Sequence, residues 1–195
     1  MDLYPNKVVV GLTGGIASGK TTVSGLFEEQ GWNAISTDKL VSDILKNDEF
    51  VIDAVKNRWE FKQGNIDKQK IAQIVFNNPA ERSWLEDMLH PIVRKKWVSL
   101  IQQSSVHYHV VELPLLFEKK LSSYFSKTLS VFAPVKNQIS RLTNRGLSVA
   151  DASSRLSSQI PNQEKANLAD FVILGNGSKE FLEIQVLSFI QKFKS

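Results

Sequence analysis

The sequence predicts an α/β protein with a parallel, doubly wound sheet, and three observations carry that prediction. Short apolar runs rich in β-branched residues recur at Lys7 to Leu12, Trp32 to Ser36, Tyr108 to Leu113, Leu129 to Ala133 and Phe171 to Leu174. Segments with helical spacing separate them, and strands that alternate with helices imply parallel pairing. A glycine-rich turn joins the first run to the first helix, where a parallel sheet commonly places its ligand.

Each element has its own signal. KVVVGL at 7–12 is nearly continuous in apolar residues, the pattern of a central strand buried on both faces. Val23, Leu26 and Phe27 then recur at helical spacing until Gly31, a C-terminal stop. After the strand at 32–36, Leu40, Val41, Ile44 and Leu45 mark another helix, so Thr37 and Asp38 fall at a strand-to-helix junction. From about 46 to 104 only helices are expected. Asp67 caps one that runs to Asn78; Asn78, Pro79 and Glu81 supply the N-cap, N1 and N3 positions of the next. His90-Pro91 is expected to break that helix, with Ile92, Val93, Trp97, Leu100 and Ile101 continuing on a new one. A last amphipathic helix carries Leu182, Val186, Phe189 and Phe193.

The 195 residues, 42% of them apolar, suffice for one core with an inserted lobe. One domain is expected, with a core of 1–38, 105–140 and 164–195, a helical lobe at about 39–104 and a lid at about 141–163. A net charge of +4 suits an anionic ligand but falls far short of a dedicated nucleic-acid binder. The absence of cysteine excludes disulfides, thiolate metal sites and a cysteine nucleophile. No apolar run approaches the roughly 18–20 residues of a membrane span, and MDLYPNK lacks the apolar core of a signal peptide. A cytoplasmic enzyme without membrane or nucleic-acid partners is therefore expected.

Gly14-Gly15-Ile16-Ala17-Ser18-Gly19-Lys20-Thr21 satisfies the G-x-x-x-x-G-K-[ST] pattern, with the strand before it and the helix after it that the pattern requires. Glycines let the backbone curl so that several N–H groups point inward, and the helix, continuing through Thr22, adds the positive end of its dipole. In such a P-loop Lys20 reaches the β and γ phosphates of a nucleotide, and the Thr21 hydroxyl ligates Mg2+. The N-K-x-D sequence of guanine-specific switches is absent; Val135-Lys136-Asn137-Gln138 is the nearest approach.

Phosphorylation of a hydroxyl calls for a proton acceptor near the γ phosphate, and Asp38, at the end of the next strand, is the candidate. An Asp before Leu40 and Val41 is equally a helix N-cap. Glu112 ends a buried strand, where a carboxylate is costly unless paired or bound to a cation, so it is the candidate second metal residue, acting through water. Glu118 reads as a solvated or helix-starting residue. Arg141 and Arg145, four apart, are expected on one helix face, and Arg155 on a second helix begun by a Ser148/Asp151 capping box; together they form a lid over phosphates or, equally, a solvated hairpin. His90 is a helix-end residue followed by Arg94, Lys95 and Lys96, which give the lobe a basic edge suited to an anionic acceptor.

These residues resemble the dephospho-CoA kinase family across almost the whole chain. The resemblance lies in GLTGGIASGKTTV at 11–23, the Asp38 junction, IDKQKIAQIVFNNPAERSWLEDMLHPIVR at 66–94, PLLFE at 114–118, Arg141 with Arg145, and Gln159 through ADFVI at 169–173. It implies a P-loop kinase with a five-stranded parallel sheet flanked by helices, an inserted helical CoA-binding lobe and a small lid. The implied reaction takes the γ phosphate of ATP, with Mg2+, to the 3′-hydroxyl of dephospho-CoA. It also implies that Asp38 is the base, that Thr13 lies close to the reacting groups, that lid arginines contact phosphates, and that His90 and Arg94 serve the acceptor side. Three departures stand out: Ser36 replaces a frequent aspartate, Arg145-Gly146 a frequent Arg-Asp, and Leu174-Gly175-Asn176 the usual ending of the last strand, leaving Asn176 as the nucleotide contact there. The remaining expectations are a kinase of nucleosides or nucleoside monophosphates and a non-catalytic nucleotide-binding switch.

Overall fold

The computed structural model describes residues 3–61 and 68–193. The elements run β1 (Val8–Gly14), α1 (Lys20–Glu29), β2 (Asn33–Ser36), α2 (Thr37–Asn47), α3 (Glu49–Trp59), α4 (Lys68–Asn77), α5 (Pro79–Gln103), β3 (Tyr108–Glu112), β4 (Lys127–Phe132), α6 (Val135–Thr143), α7 (Val149–Ser157), α8 (Asn162–Leu168), β5 (Phe171–Leu174) and α9 (Lys179–Gln191). They form two compact units, Ser36–Gln103 and the remainder, Met1–Ile35 with Ser104–Ser195. None of the described helices is long and apolar enough to cross a membrane.

The larger unit is built on a five-stranded parallel sheet in the order β2-β3-β1-β4-β5. β1 lies in the middle, parallel to β3 with Val10 opposite Val110 and parallel to β4 with Leu12 opposite Leu129. Burial on both faces explains its unbroken apolar run: Val9, Val10 and Leu12 are all fully buried. Val10, Leu12, Val110, Leu129, Val131 and Ile173 share one core with Val23, Leu26 and Phe27 of α1 and Leu182, Val186 and Phe189 of α9. Gly31 ends α1 as expected: its N–H bonds to Glu28, the N–H of Trp32 bonds to Phe27, and the Phe27 and Trp32 rings pack 5.0 Å apart. All five expected strands are present, each within two residues of its sequence-based limits.

Beyond Ser36, which ends β2, every described element of the smaller unit is a helix; the expected cap at Asp67 lies outside the described residues. The Asn78 side chain accepts from the backbone N–H groups of Ala80 (3.0 Å) and Glu81 (3.3 Å), so the expected cap of α5 forms. The Glu81 carboxylate instead takes a bidentate pair from Arg58 and the Trp59 indole N–H at 2.7 Å, tying α3 to α5.

The expected break at His90-Pro91 does not occur. α5 runs continuously for 25 residues with Pro91 inside it. Pro91 removes one ladder hydrogen bond and crowds the preceding turn, a cost of about 3 kcal/mol. Leu85, Leu89, Val93, Trp97 and Ile101, spaced at four, form a buried stripe that spans the proline. At about 1.5–3 kcal/mol per buried large apolar side chain, that stripe outweighs the local loss.

Candidate nucleotide site and its surroundings

At the carboxyl end of β1 the chain curls through Gly14 to Gly19 and enters α1 at Lys20. With β3 and β4 on either side of β1, this turn opens at the switch point of the sheet. Lys20 is almost buried, and its ammonium donates back to the loop carbonyls of Gly14 (3.1 Å) and Gly15 (3.0 Å). Ile16 and Ala17 are half-buried and Thr22 is exposed; Ser18 is buried, with no hydrogen-bond partner at its hydroxyl. Thr13, the last residue of β1 before Gly14, is fully buried and donates its hydroxyl to the Pro114 carbonyl.

Thr21 donates its hydroxyl to Glu112 Oε1 at 3.1 Å. Register explains the encounter: Leu12 stands opposite Glu112, so the end of β3 reaches the level of the loop. Glu112 is 5% exposed. A hydroxyl and a carboxylate side by side at the mouth of a phosphate loop are hard oxygen donors of the kind Mg2+ takes, so these residues fit that ion.

Three side chains grip the loop from outside, two of which the sequence did not disclose. Asn162 Oδ1 accepts from the Gly15 N–H at 2.7 Å, and its amide donates to the Ala133 carbonyl at 3.1 Å. The Gln138 amide donates to the Ile16 carbonyl at 2.6 Å. Arg141 Nη1 donates to the carbonyls of Ala17 and Ser18, and Nη2 to that of Gly175 at 2.6 Å. Gln138 looks like an ordinary polar residue on an amphipathic helix and Asn162 like a turn residue after a proline; their partners in the loop lie more than a hundred residues away.

The lid residues differ from their expected arrangement. α6 ends at Thr143, so Arg145 stands beyond the helix, exposed, and does not share a helical face with Arg141. The reason is Gly146, at φ 91°: its N–H bonds to Thr143 and that of Leu147 to Leu142, a Schellman stop that an Arg-Asp pair would form less readily. Ser148 caps α7 by accepting from the Asp151 N–H, but the Asp151 carboxylate accepts the Ser148 hydroxyl rather than the backbone N–H of a full capping box. Arg155 is exposed on α7, and Asn176 is exposed in the turn after β5.

Glu118 is neither solvated nor a helix start. It forms a 2.8 Å ion pair with Lys165, whose side chain is fully buried and also donates to the Pro114 carbonyl. Desolvation holds the Lys165 ammonium below the usual lysine range, opposed by its bond to Glu118. Lys165 carried no sequence signal, because a lysine on a short helix is normally solvated.

In the helical unit, Ser36 caps α2 by accepting from the Lys39 N–H. That leaves Asp38 exposed in the first turn, with its carboxylate not serving as the cap. His90 and Arg94, four apart on α5, share one helix face and are both half-buried.

A phosphate loop at the switch point of a five-stranded parallel sheet, with the Thr21–Glu112 pair at its mouth, defines the class as a P-loop kinase-like fold. Shikimate kinase from Acinetobacter baumannii shares that architecture at a TM-score of 0.53 and 15% identity, covering 96% of this chain and 95% of its own. The dephospho-CoA kinase family model matches residues 8–180. A curated dephospho-CoA kinase from Carboxydothermus hydrogenoformans is 38% identical over 194 residues, covering 95% of this chain and 94% of the relative. One from Legionella pneumophila is 33% identical over 189 residues, covering 94% of each. The solved dephospho-CoA kinase from Campylobacter jejuni superposes at a TM-score of 0.69 with 28% identity, covering 95% of this chain and 96% of its own. The chain belongs to the dephospho-CoA kinase family.

Proposed function

We propose that this protein transfers the γ-phosphoryl group of ATP to the ribose 3′-hydroxyl of dephospho-CoA, giving coenzyme A and ADP, the last step of coenzyme A synthesis, in the cytoplasm. The observation that carries the reading is the complete phosphate loop, with Lys20 and the Thr21–Glu112 pair in place, in a chain matched from 8 to 180 by that family.

The proposed roles follow from each residue's chemistry. Apart from those of Gly15 and Ser18, which bond to Asn162 and to the Gly15 carbonyl, the N–H groups of Gly14 to Thr22 face the phosphates at the positive end of α1, and Lys20 leaves the Gly14 and Gly15 carbonyls for the β and γ oxygens. Thr21 and Glu112 hold Mg2+, which when bound neutralises charge on the transferring phosphoryl group. Asp38 orients the 3′-hydroxyl and takes its proton as the new O–P bond forms and the bond to the ADP oxygen breaks. Thr13 lies beside the reacting groups. Arg145 of the lid supplies charge to the phosphates, and Arg141 adds its own from behind the loop carbonyls that it grips. Asn176 borders the nucleotide, while His90, Arg94 and Arg155 serve the anionic acceptor.

Product identification after incubation with ATP, Mg2+ and dephospho-CoA tests this reading. A 3′-phosphorylated product is expected. Phosphorylation of nucleosides or nucleoside monophosphates with none on dephospho-CoA, or tight nucleotide binding with no phosphorylated acceptor at all, would overturn it.

A further inference from the structure

The side chains that grip the loop follow a pattern. Gly15, Ile16, Ala17 and Ser18 each give one backbone polar group to a side chain between residues 138 and 162. Those side chains stand at the two roots of the 141–163 segment, Gln138 and Arg141 on α6 where it begins and Asn162 at the first position of α8 where it ends. Gln138 and Asn162 are 1% and 7% exposed, so neither is a solvated surface amide. They converge on Gly15, where an added Cβ would lie 2.4 Å from the Gln138 amide nitrogen and 3.0 Å from Asn162.

Peptide planarity turns these contacts into statements about direction. In a trans peptide the carbonyl of one residue and the N–H of the next point opposite ways. Gln138, by drawing the Ile16 carbonyl outward, turns the Ala17 N–H inward; Arg141 does the same for Gly19 through the Ser18 carbonyl. The Gly14–Gly15 peptide is held from both sides. Its N–H goes to Asn162 and its carbonyl accepts from the Lys20 ammonium. Asn162 is itself fixed by its second bond, to Ala133 at the end of β4.

We propose that Asn162, seconded by Gln138, is a positioning residue for nucleotide binding: through the Gly14–Gly15 peptide it sets the course of the phosphate loop and where Lys20 stands before ATP arrives, and it joins the loop to the far root of the lid. Asn162 touches neither substrate in this scheme. The inference rests on the proposed ATP-dependent reaction, but its central test does not need the acceptor.

Mg-ATP affinity is measured by calorimetry on the wild type, Asn162→Leu and Asn162→Asp, alongside KM for ATP and for dephospho-CoA. Loss of one buried hydrogen-bonded brace is worth about tenfold in affinity. Asn162→Leu is expected to weaken ATP binding and raise KM for ATP by about tenfold, with KM for dephospho-CoA within about twofold of wild type. Asn162→Asp keeps an oxygen for the Gly15 N–H and is expected to bind ATP more tightly than the Leu variant. If the Leu variant does not fold, Asn162→Ser, which is too short to span Gly15 and Ala133, takes its place with the same expectation. Unchanged ATP affinity in a folded variant, equal losses for both substrates, or no recovery in Asn162→Asp would overturn the proposal. A wild type that binds Mg-ATP but leaves dephospho-CoA unmodified would refute the proposed reaction and leave the loop test intact.

Discussion

Gly175 provides the sharpest test of how the loop is held. The family's more usual ending of the last strand carries a side chain where this chain has Gly175, and here the backbone explains the difference. A Cβ at Gly175 would stand 2.1 Å from the Ser18 carbonyl oxygen, 2.9 Å from Val131 Cγ1 and 3.2 Å from the Phe132 carbonyl oxygen. Ordinary contact needs about 3.4 Å or more, so the loop and the end of β5 must part by about 1 Å. Parting them strains two hydrogen bonds, Gly175 N–H to Phe132 (2.6 Å) and Arg141 to the Gly175 carbonyl (2.6 Å). Overpacking costs typically about 1–3 kcal/mol, and weakening a charged hydrogen bond adds about 1 kcal/mol. Gly175→Ala is therefore expected to lose about 2–4 kcal/mol, a fall in Tm of about 5–10 °C for a chain of this size, together with a raised KM for ATP. The control is Gly25→Ala on α1, where an added Cβ meets nothing within 4 Å and the helix gains up to about 1 kcal/mol. Thermal unfolding with and without Mg-ATP reads both variants. A Gly175→Ala protein with wild-type Tm and wild-type ATP affinity would refute the idea that β5 and the loop are in forced contact.

Other perturbations probe separate parts. Asp38→Asn keeps the shape of the exposed side chain in the first turn of α2 but removes the proposed proton acceptor, so kcat should fall by orders of magnitude while ATP affinity changes little; wild-type turnover would end the assignment. His109 is fully buried between the Asn33 amide (3.1 Å) and the Val106 carbonyl (2.8 Å), and desolvation, helped by Lys7 and His107, holds it below 6.5. Well above pH 6.5 neither state is protonated and its contribution is complete; as pH falls through that value the unfolded chain takes up a proton that the folded one resists, so stability declines. Tm measured from pH 7 to 5 should drop more steeply in the wild type than in His109→Gln, and equal slopes would exclude this source. Lys165→Met leaves the Glu118 carboxylate without its 2.8 Å partner and should cost about 3–5 kcal/mol, whereas adding Glu118→Gln should recover part of it; a fully additive double variant would show that the pair is not coupled.

The features legible in the chain are those whose cause is local. A strand buried on both faces must be apolar throughout, so KVVVGL announced β1. A phosphate loop requires glycine, lysine and threonine at set offsets, so Gly14 to Thr21 could be read at once. Caps act over three or four residues, which is why Asn78 and Gly31 were found. The same locality misleads at Pro91, where a strong local breaker is overruled by the Leu85-to-Ile101 stripe, and at Arg145, where a period of four runs beyond a helix that already ends at Thr143 because Gly146 stops it.

Sequence alone was enough to establish the alternation of strands and helices, the phosphate loop and the family, because each is encoded in neighbouring residues or in the order of elements. It could not reveal that Asn162, Gln138 and Arg141 brace the loop, that Glu118 is paired with a buried lysine, or that Gly175 is glycine because Ser18 lies against it. Those facts depend on segments more than 40 residues apart meeting at the carboxyl end of one sheet, and no local pattern carries the partner of a long-range hydrogen bond.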